Sequence, residues 1–153
     1  MSLSVEGSIV IEAPVENIWD TLTNPEKIFL YMIESRVATD WQPGSPVRFT
    51  RDRLHPKAER SGKLIEDKGQ IFQFEPGKLL QFSYWSSQEG YPDLPENYTT
   101  ITYTLTRLDA SKIMLSYLRE KIPLAFEQKN QARFLQGMLK EIKRIAEEGS
   151  LTC

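Results

Sequence analysis

The first part of the chain changes from a strand pattern to a helical pattern at Pro14. Apolar and polar residues alternate over residues 2–12, which predicts a strand with one apolar face. The apolar residues of that face are Leu3, Val5, Ile9 and Ile11. Pro14 suits the start of a helix, because its missing N–H would be unpaired there in any case. Helical spacing follows at Val15, Ile18, Trp19 and Leu22, and Asn24-Pro25 caps a second short helix that carries Ile28, Phe29, Tyr31 and Met32.

From about residue 37 to residue 119 the apolar period is two, which predicts five or six antiparallel strands. In the most regular of them, residues 98–107, threonines alternate with Ile101, Tyr103 and Leu105. Such a pattern is typical of a sheet with one face in solvent. The other predicted inward sets are Val47, Phe49 and Arg51, then Phe72 and Phe74, then Leu80, Phe82 and Tyr84. Two polar segments, residues 53–62 and 86–97, are predicted to be loops.

Helical periodicity returns after Pro123 and predicts one long amphipathic helix. Its apolar stripe consists of Leu135, Met138, Leu139, Ile142, Ile145 and Ala146, with Phe134 at the margin. An antiparallel sheet with one apolar face needs a cover, and this helix is the only predicted element long enough to provide it. The pattern therefore predicts an α+β fold in which a curved antiparallel sheet grips a C-terminal helix. We expect the stripe to lie across Phe72, Phe82 and Tyr103.

Several segments, taken in chain order, resemble a known superfamily. They are residues 11–26 (IEAPVENIWDTLTNPE), residues 41–45 (WQPGS), Gly69, the Phe74-Glu75-Pro76 turn, the strand of Leu80, Phe82 and Tyr84, and Leu139, Ile142, Lys143 and Glu147. On these residues the chain resembles the START-like or SRPBCC helix-grip superfamily, and within it the homologues of the activator of the Hsp90 ATPase. The resemblance implies about six or seven strands around the C-terminal helix, in a single domain of residues 1–153. It also implies a space between sheet and helix, which this superfamily commonly keeps open.

The chain departs from that family at two places. Tyr31 and Tyr84 stand where the family usually has tryptophan, and residues 54–68 are longer than expected. The chaperone activators also carry a further N-terminal domain, for which we expect no room in 153 residues. A co-chaperone-like function, acting through the protein surface with a filled cavity, therefore stays an alternative.

Composition and charge exclude several classes of partner. With 19 basic and 21 acidic residues, no global field attracts the chain to nucleic acid or to an anionic membrane. The longest apolar run, residues 28–33, is far below the ~18 residues of a membrane span. The one cysteine is Cys153, so neither an intrachain disulfide nor a thiolate zinc site is expected. These features, with no basic or long apolar N-terminal segment, favour a cytoplasmic monomer or homodimer.

The residues offer little for catalysis or metal binding. The lone His55 lies in a polar segment without a glycine-flanked nucleophile, and no ligand spacing for a metal occurs. Carboxylates such as Glu66, Asp67 and Glu75 could pair, but any acidic protein offers such pairs. We therefore predict no catalytic residue, no metal and no cofactor. A polyketide cyclase or dehydratase activity is disfavoured, because no internal acid–base pair is evident.

One basic cluster includes a residue with inward parity. Arg51, Arg53, Lys57, Arg60 and Lys63, with Asp52 and Glu59, carry a local charge of +3. The cluster is either a solvated loop or a contact patch for an acidic group. Arg51 shares its parity with Val47 and Phe49, and an inward charge costs several kcal/mol unless it is paired. An inward Arg51 is therefore a candidate ligand anchor.

Aromatic side chains are concentrated on the predicted concave face. The candidate cavity residues are Tyr31, Phe49, Arg51, Phe72, Phe74, Phe82, Tyr84, Tyr103, Phe134 and Met138. We predict that they surround a small apolar or amphipathic ligand, bound without covalent chemistry, with tyrosine hydroxyls orienting it. The same aromatics could instead fill the space. Trp19 and Leu22 are expected in the core.

Overall fold

The computed structural model describes residues 3–32, 34–51, 65–87, 91–122 and 125–151, and within them seven strands form one sheet with three helices. In chain order the elements are β1 (Leu3–Ile11), α1 (Val15–Thr23), α2 (Pro25–Tyr31), β2 (Arg36–Thr39), β3 (Pro46–Arg51), β4 (Ile65–Glu75), β5 (Leu79–Ser86), β6 (Thr99–Arg107), β7 (Ile113–Ile122) and α3 (Ala125–Leu151). A 3₁₀ turn, Pro95–Asn97, precedes β6. The strands lie in the order β1-β7-β6-β5-β4-β3-β2, and all neighbours are antiparallel.

Helix α3 covers the concave face of this curved sheet, as its apolar stripe predicts. All six stripe residues, Leu135, Met138, Leu139, Ile142, Ile145 and Ala146, are buried. The helix packs against β1, β7, α1 and α2. At Gly7 of β1 the approach is close, since an added Cβ would lie 2.9 Å from Leu135 Cδ2. The predicted α+β helix-grip fold is confirmed.

Helices α1 and α2 close one end of the sheet. The Asn24 side chain caps α2 by accepting a hydrogen bond from the Glu26 backbone N–H at 3.0 Å. Leu22 is fully buried, as predicted, whereas Trp19 is only partly buried and meets the edge of the Phe74 ring at 5.3 Å between centroids. The Tyr31 hydroxyl donates to the Leu22 carbonyl at 3.0 Å, which ties the two helices together.

A β-bulge in β4 reverses the expected orientation of Phe72. Pairing with β5 shifts between Ile71, which lies opposite Phe82, and Gln73, which lies opposite Gln81. The extra residue turns outward, so Phe72 is 43% exposed on the convex face. Alternation resumes after it, and Phe74 points inward again. The prediction that Phe72 faces α3 is therefore wrong, because simple parity fails across a bulge.

No helix among the described residues combines the length and the apolarity that a membrane crossing requires.

Candidate functional site

A cavity of about 260 Å³ lies between α3 and the concave faces of β5, β6 and β7. Its apolar wall consists of Phe82, Ile101, Tyr103, Tyr117, Phe134 and Met138. Phe82, Ile101, Tyr103 and Tyr117 share one face of the sheet because they occupy inward strand positions, and Phe134 and Met138 face them from α3. The Tyr103 hydroxyl points at the Met138 Sδ atom, 3.9 Å away. The wall is therefore largely aromatic, with sulfur and hydroxyl groups included.

Six of the ten predicted cavity residues line this cavity, namely Arg51, Phe82, Tyr84, Tyr103, Phe134 and Met138. Phe134 is 43% exposed, so it stands at the rim of the cavity. Whether any of these side chains contacts a ligand stays a prediction.

The structure places the other four predicted residues elsewhere. Phe49 is buried behind the wall and packs on Phe82 and Tyr84. The Tyr31 hydroxyl is hydrogen-bonded to the Leu22 carbonyl of α1. The Phe74 ring contacts the rings of Trp19 and Trp41, and Phe72 lies on the convex face.

An ion pair is buried beside the aromatic wall. The Arg51 Nη1 donates to Asp67 Oδ2 at 3.0 Å and to Ser35 Oγ at 3.1 Å. Asp67 is 0% exposed, and the Tyr84 hydroxyl donates to the same Oδ2. Arg51 thus points inward, as its parity predicts. Asp67 and Tyr84 also form a buried carboxylate–phenol pair. Sequence reasoning did not identify this pair, and the statement that no internal acid–base pair is evident is corrected accordingly.

A second guanidinium, that of Arg119, also lines the cavity and was missed from the sequence. Arg119 is 3% exposed, its Nε donates to Thr99 Oγ1 at 2.9 Å, and its guanidinium carbon lies 5.0 Å from the centre of the Tyr84 ring. Such a position over an aromatic face stabilises a cation. Strand alternation could have predicted its inward orientation, because Arg119 continues the inward series of Leu115 and Tyr117 on β7.

Three tyrosines of this region keep their hydroxyl protons more tightly than free tyrosine does. Burial raises the pKa of Tyr84 well above its ordinary value, the Asp67 charge raises it further, and Arg119 and Arg51 oppose the rise. Burial also raises the pKa values of Tyr31 and Tyr103. At neutral pH the three phenols are therefore hydrogen-bonding groups without charge.

These shifts predict a loss of stability at alkaline pH. A raised native pKa means that the folded state binds the proton more tightly than the unfolded state. The contribution is complete below about pH 10, where unfolded tyrosine ionises, and falls above it by up to about 1.4 kcal/mol per pH unit for each group. Denaturant unfolding at increasing pH, with tyrosinate absorbance of the native protein, measures this. Ionisation of all six tyrosines near pH 10 without loss of the fold would contradict it.

Several predicted features lie outside the described residues. They are His55, the cluster members Arg53, Lys57, Arg60 and Lys63, and residues 88–90 of the second predicted loop. Within the described part of the chain, no three histidine, cysteine or carboxylate side chains stand close enough to hold a metal ion.

Comparison with known families agrees with this architecture. A family model described as Activator of Hsp90 ATPase homolog 1-like protein matches residues 12–147, which include α1, α2, the strands β2 to β7 and most of α3. The chain belongs to this family. No curated protein matches the sequence.

Solved structures similar to this member of the activator-homolog family share its fold over nearly the whole chain. The solution structure of ChR145 from Cytophaga hutchinsonii is 35% identical, with 96% of this chain and 95% of that chain covered and a TM-score of 0.78. CV1439 from Chromobacterium violaceum is 19% identical, with 95% and 98% covered and a TM-score of 0.72. CalU16 from Micromonospora echinospora is 15% identical, with 98% and 87% covered and a TM-score of 0.63. The last two show the fold alone.

Proposed function

We propose that this protein binds a small, mainly apolar molecule in the cavity between the sheet and α3, without covalent chemistry. The observation that carries the proposal is a cavity of about 260 Å³ in which an aromatic wall meets buried polar groups. Pockets with apolar walls and a few placed polar groups are the usual form of small-molecule sites.

The cavity volume limits the size of the occupant. A dry apolar cavity of about 150 Å³ accepts benzene. By proportion, about 260 Å³ suits a molecule of roughly ten non-hydrogen atoms, such as a compound with two fused rings. Long acyl chains and sterols exceed this volume, so part of such a molecule would extend beyond the cavity unless the cavity expands.

Replacing Met138 with tryptophan is expected to abolish binding of bicyclic probes while the fold is kept. Met138 is 7% exposed and lines the cavity, so a larger ring there takes the space of the ligand. The matched control is Gln136→Trp, which puts the same ring on an exposed position of the same helix.

Thermal-shift titration with naphthalene and related compounds measures the effect. We expect wild-type protein and Gln136→Trp to gain about 2.7 kcal/mol at a hundredfold excess over Kd, and Met138→Trp to gain nothing. Equal stabilisation of all three proteins would show that the probes bind elsewhere. Native mass spectrometry of freshly purified protein would identify any ligand retained from the cell.

A co-chaperone-like interaction module is the second candidate, and the family description favours it. In that case a small-molecule panel gives no thermal shift with wild-type protein, and any partner binds the outer surface. Met138→Trp would then leave partner binding unchanged. An enzymatic function of the cyclase type would instead require turnover of a bound compound, with loss of turnover when Asp67 or Tyr84 is changed.

A further inference from the structure

One oxygen beside the cavity lacks a hydrogen-bond partner. Within the described part of the chain, Asp67 Oδ1 is the single buried side-chain nitrogen or oxygen atom without a hydrogen-bond partner. The other carboxylate oxygen, Oδ2, accepts hydrogen bonds from both Arg51 and Tyr84. A buried polar atom without a partner is costly and rare, so its presence calls for a physical reason. The missing partner must be a donor, because an ionised carboxylate only accepts.

The position of this oxygen relates it to the cavity. Asp67 is held by Arg51 and Tyr84, and it lies opposite Ser86 in the β4–β5 register. All three of these neighbours line the cavity. Tyr84 gives its one hydroxyl proton to Asp67, so its oxygen can only accept a hydrogen bond from a bound molecule. Tyr84 therefore offers an acceptor oxygen at this end of the cavity, and the fully buried Asp67 fixes the direction of the Tyr84 proton.

The charges nearby decide which kind of donor fits. Arg51 binds the carboxylate directly, and the Arg119 guanidinium carbon lies 5.0 Å from the Tyr84 ring centre. An ammonium group bound here would face two guanidinium groups against the one carboxylate of Asp67, so it is disfavoured. A ligand carboxylate or phenolate would bring a second negative charge next to Asp67 and supply no proton. A neutral hydroxyl avoids both costs.

We propose that the natural ligand is a neutral aromatic or alicyclic alcohol whose hydroxyl donates to the Asp67–Tyr84 pair while its rings lie against Phe82, Tyr103 and Met138. This inference rests on the proposed function, since it identifies the chemical class that the same cavity binds. It assigns ligand selection to Asp67, a residue that only borders the cavity.

Four probes of nearly one size test the hydroxyl preference: 2-naphthol, naphthalene, 2-methoxynaphthalene and 2-naphthoate. By calorimetry on wild-type protein at neutral pH, we expect 2-naphthol to bind at least about tenfold more tightly than each of the others, because only it can donate a hydrogen bond to the Asp67–Tyr84 pair. Equal binding of naphthalene and 2-naphthol would overturn the inference and leave the proposed function standing. If 2-naphthoate bound most tightly, the inference would be wrong, and the guanidinium groups would instead bind a ligand carboxylate. Binding of none would overturn both.

The variant Asp67→Asn tests the contribution of the carboxylate to ligand preference, because it keeps the size of the side chain. An amide can donate as well as accept, so the preference for 2-naphthol over 2-methoxynaphthalene should fall to about threefold or less. Asp93→Asn is the matched control, because Asp93 also accepts from a cation and a tyrosine, Lys68 and Tyr98, but on the outer surface. A full preference retained in Asp67→Asn would refute the assignment. If this variant does not fold, the four-probe comparison on wild-type protein decides.

Discussion

Replacing Gly69 with alanine is expected to lower the free energy of unfolding by at least about 3 kcal/mol. An ideal Cβ at this position would overlap the backbone carbonyl of Ser83 on the neighbouring strand. Backbone atoms in the middle of a sheet cannot turn aside as a flexible side chain can, so β4 and β5 would have to separate. The adjacent ladder is already distorted there, since the Gln70 N–H donates to the Ser83 hydroxyl at 2.9 Å.

The matched control for this substitution is Gly137→Ala. Gly137 lies on an exposed face of α3, where an added Cβ meets nothing within 4 Å. Alanine is favoured over glycine in a helix interior by about 0.5–1 kcal/mol, so this variant should be more stable than wild type. Urea denaturation of both variants measures the difference. A Gly69→Ala protein with unchanged stability would show that the β4–β5 contact is looser than the structure has it.

Hydrophobic periodicity was sufficient to predict the architecture. The stripe on α3 and the alternation in β6 and β7 each identify a buried face without any knowledge of neighbouring elements. Arg51 could be placed inside for the same reason, because it continues the parity of Val47 and Phe49 within one uninterrupted strand. Such predictions hold where the period of an element is regular from end to end.

The orientation of Phe72 could not be predicted in this way. A bulge inserts one residue into one strand, and nothing in the residues 71–73 (IFQ) distinguishes it from regular alternation. The cause lies in the pairing of β4 with β5, which is a property of two segments together. Phe74 is inward as predicted but contacts Trp19 and Trp41 outside the cavity, because its position along β4 puts it beside α1.

The polar part of the site was the least predictable. Asp67 contacts Arg51, 16 positions away, and Tyr84, 17 positions away, through the registers of two strand pairs. Before those registers are known, Asp67 is one of several carboxylates in a polar segment. Arg119 was predictable in principle from strand parity, since it lies in line with Leu115 and Tyr117, but a charge in an apolar series is usually assigned to the surface.

Truncating Asp67 to alanine is expected to lower the free energy of unfolding by about 3–5 kcal/mol, the range measured when one partner of a buried ion pair is removed. The Arg51 side chain is 12% exposed, and in the variant its guanidinium and the Tyr84 hydroxyl both lose the carboxylate that accepts from them. Asp93→Ala removes a similar carboxylate from the outer surface and should leave stability nearly unchanged, because solvent replaces its partners there.

A combined variant distinguishes two reasons for the lower stability of Asp67→Ala. One is the cost of burying Arg51 and Tyr84 without the carboxylate, and the other is a net stabilisation of the fold by the ion pair itself. In Arg51→Met/Asp67→Leu/Tyr84→Phe the ion pair and the phenol are removed together, although the Ser35 hydroxyl loses its bond to Arg51, so most of the stability lost in Asp67→Ala should return. Urea denaturation of the single and the triple variant gives both values. A triple variant as unstable as Asp67→Ala would mean that the polar cluster itself stabilises the fold. Recovery of stability together with loss of 2-naphthol binding would instead mean that the chain keeps a costly buried carboxylate because the ligand needs an acceptor.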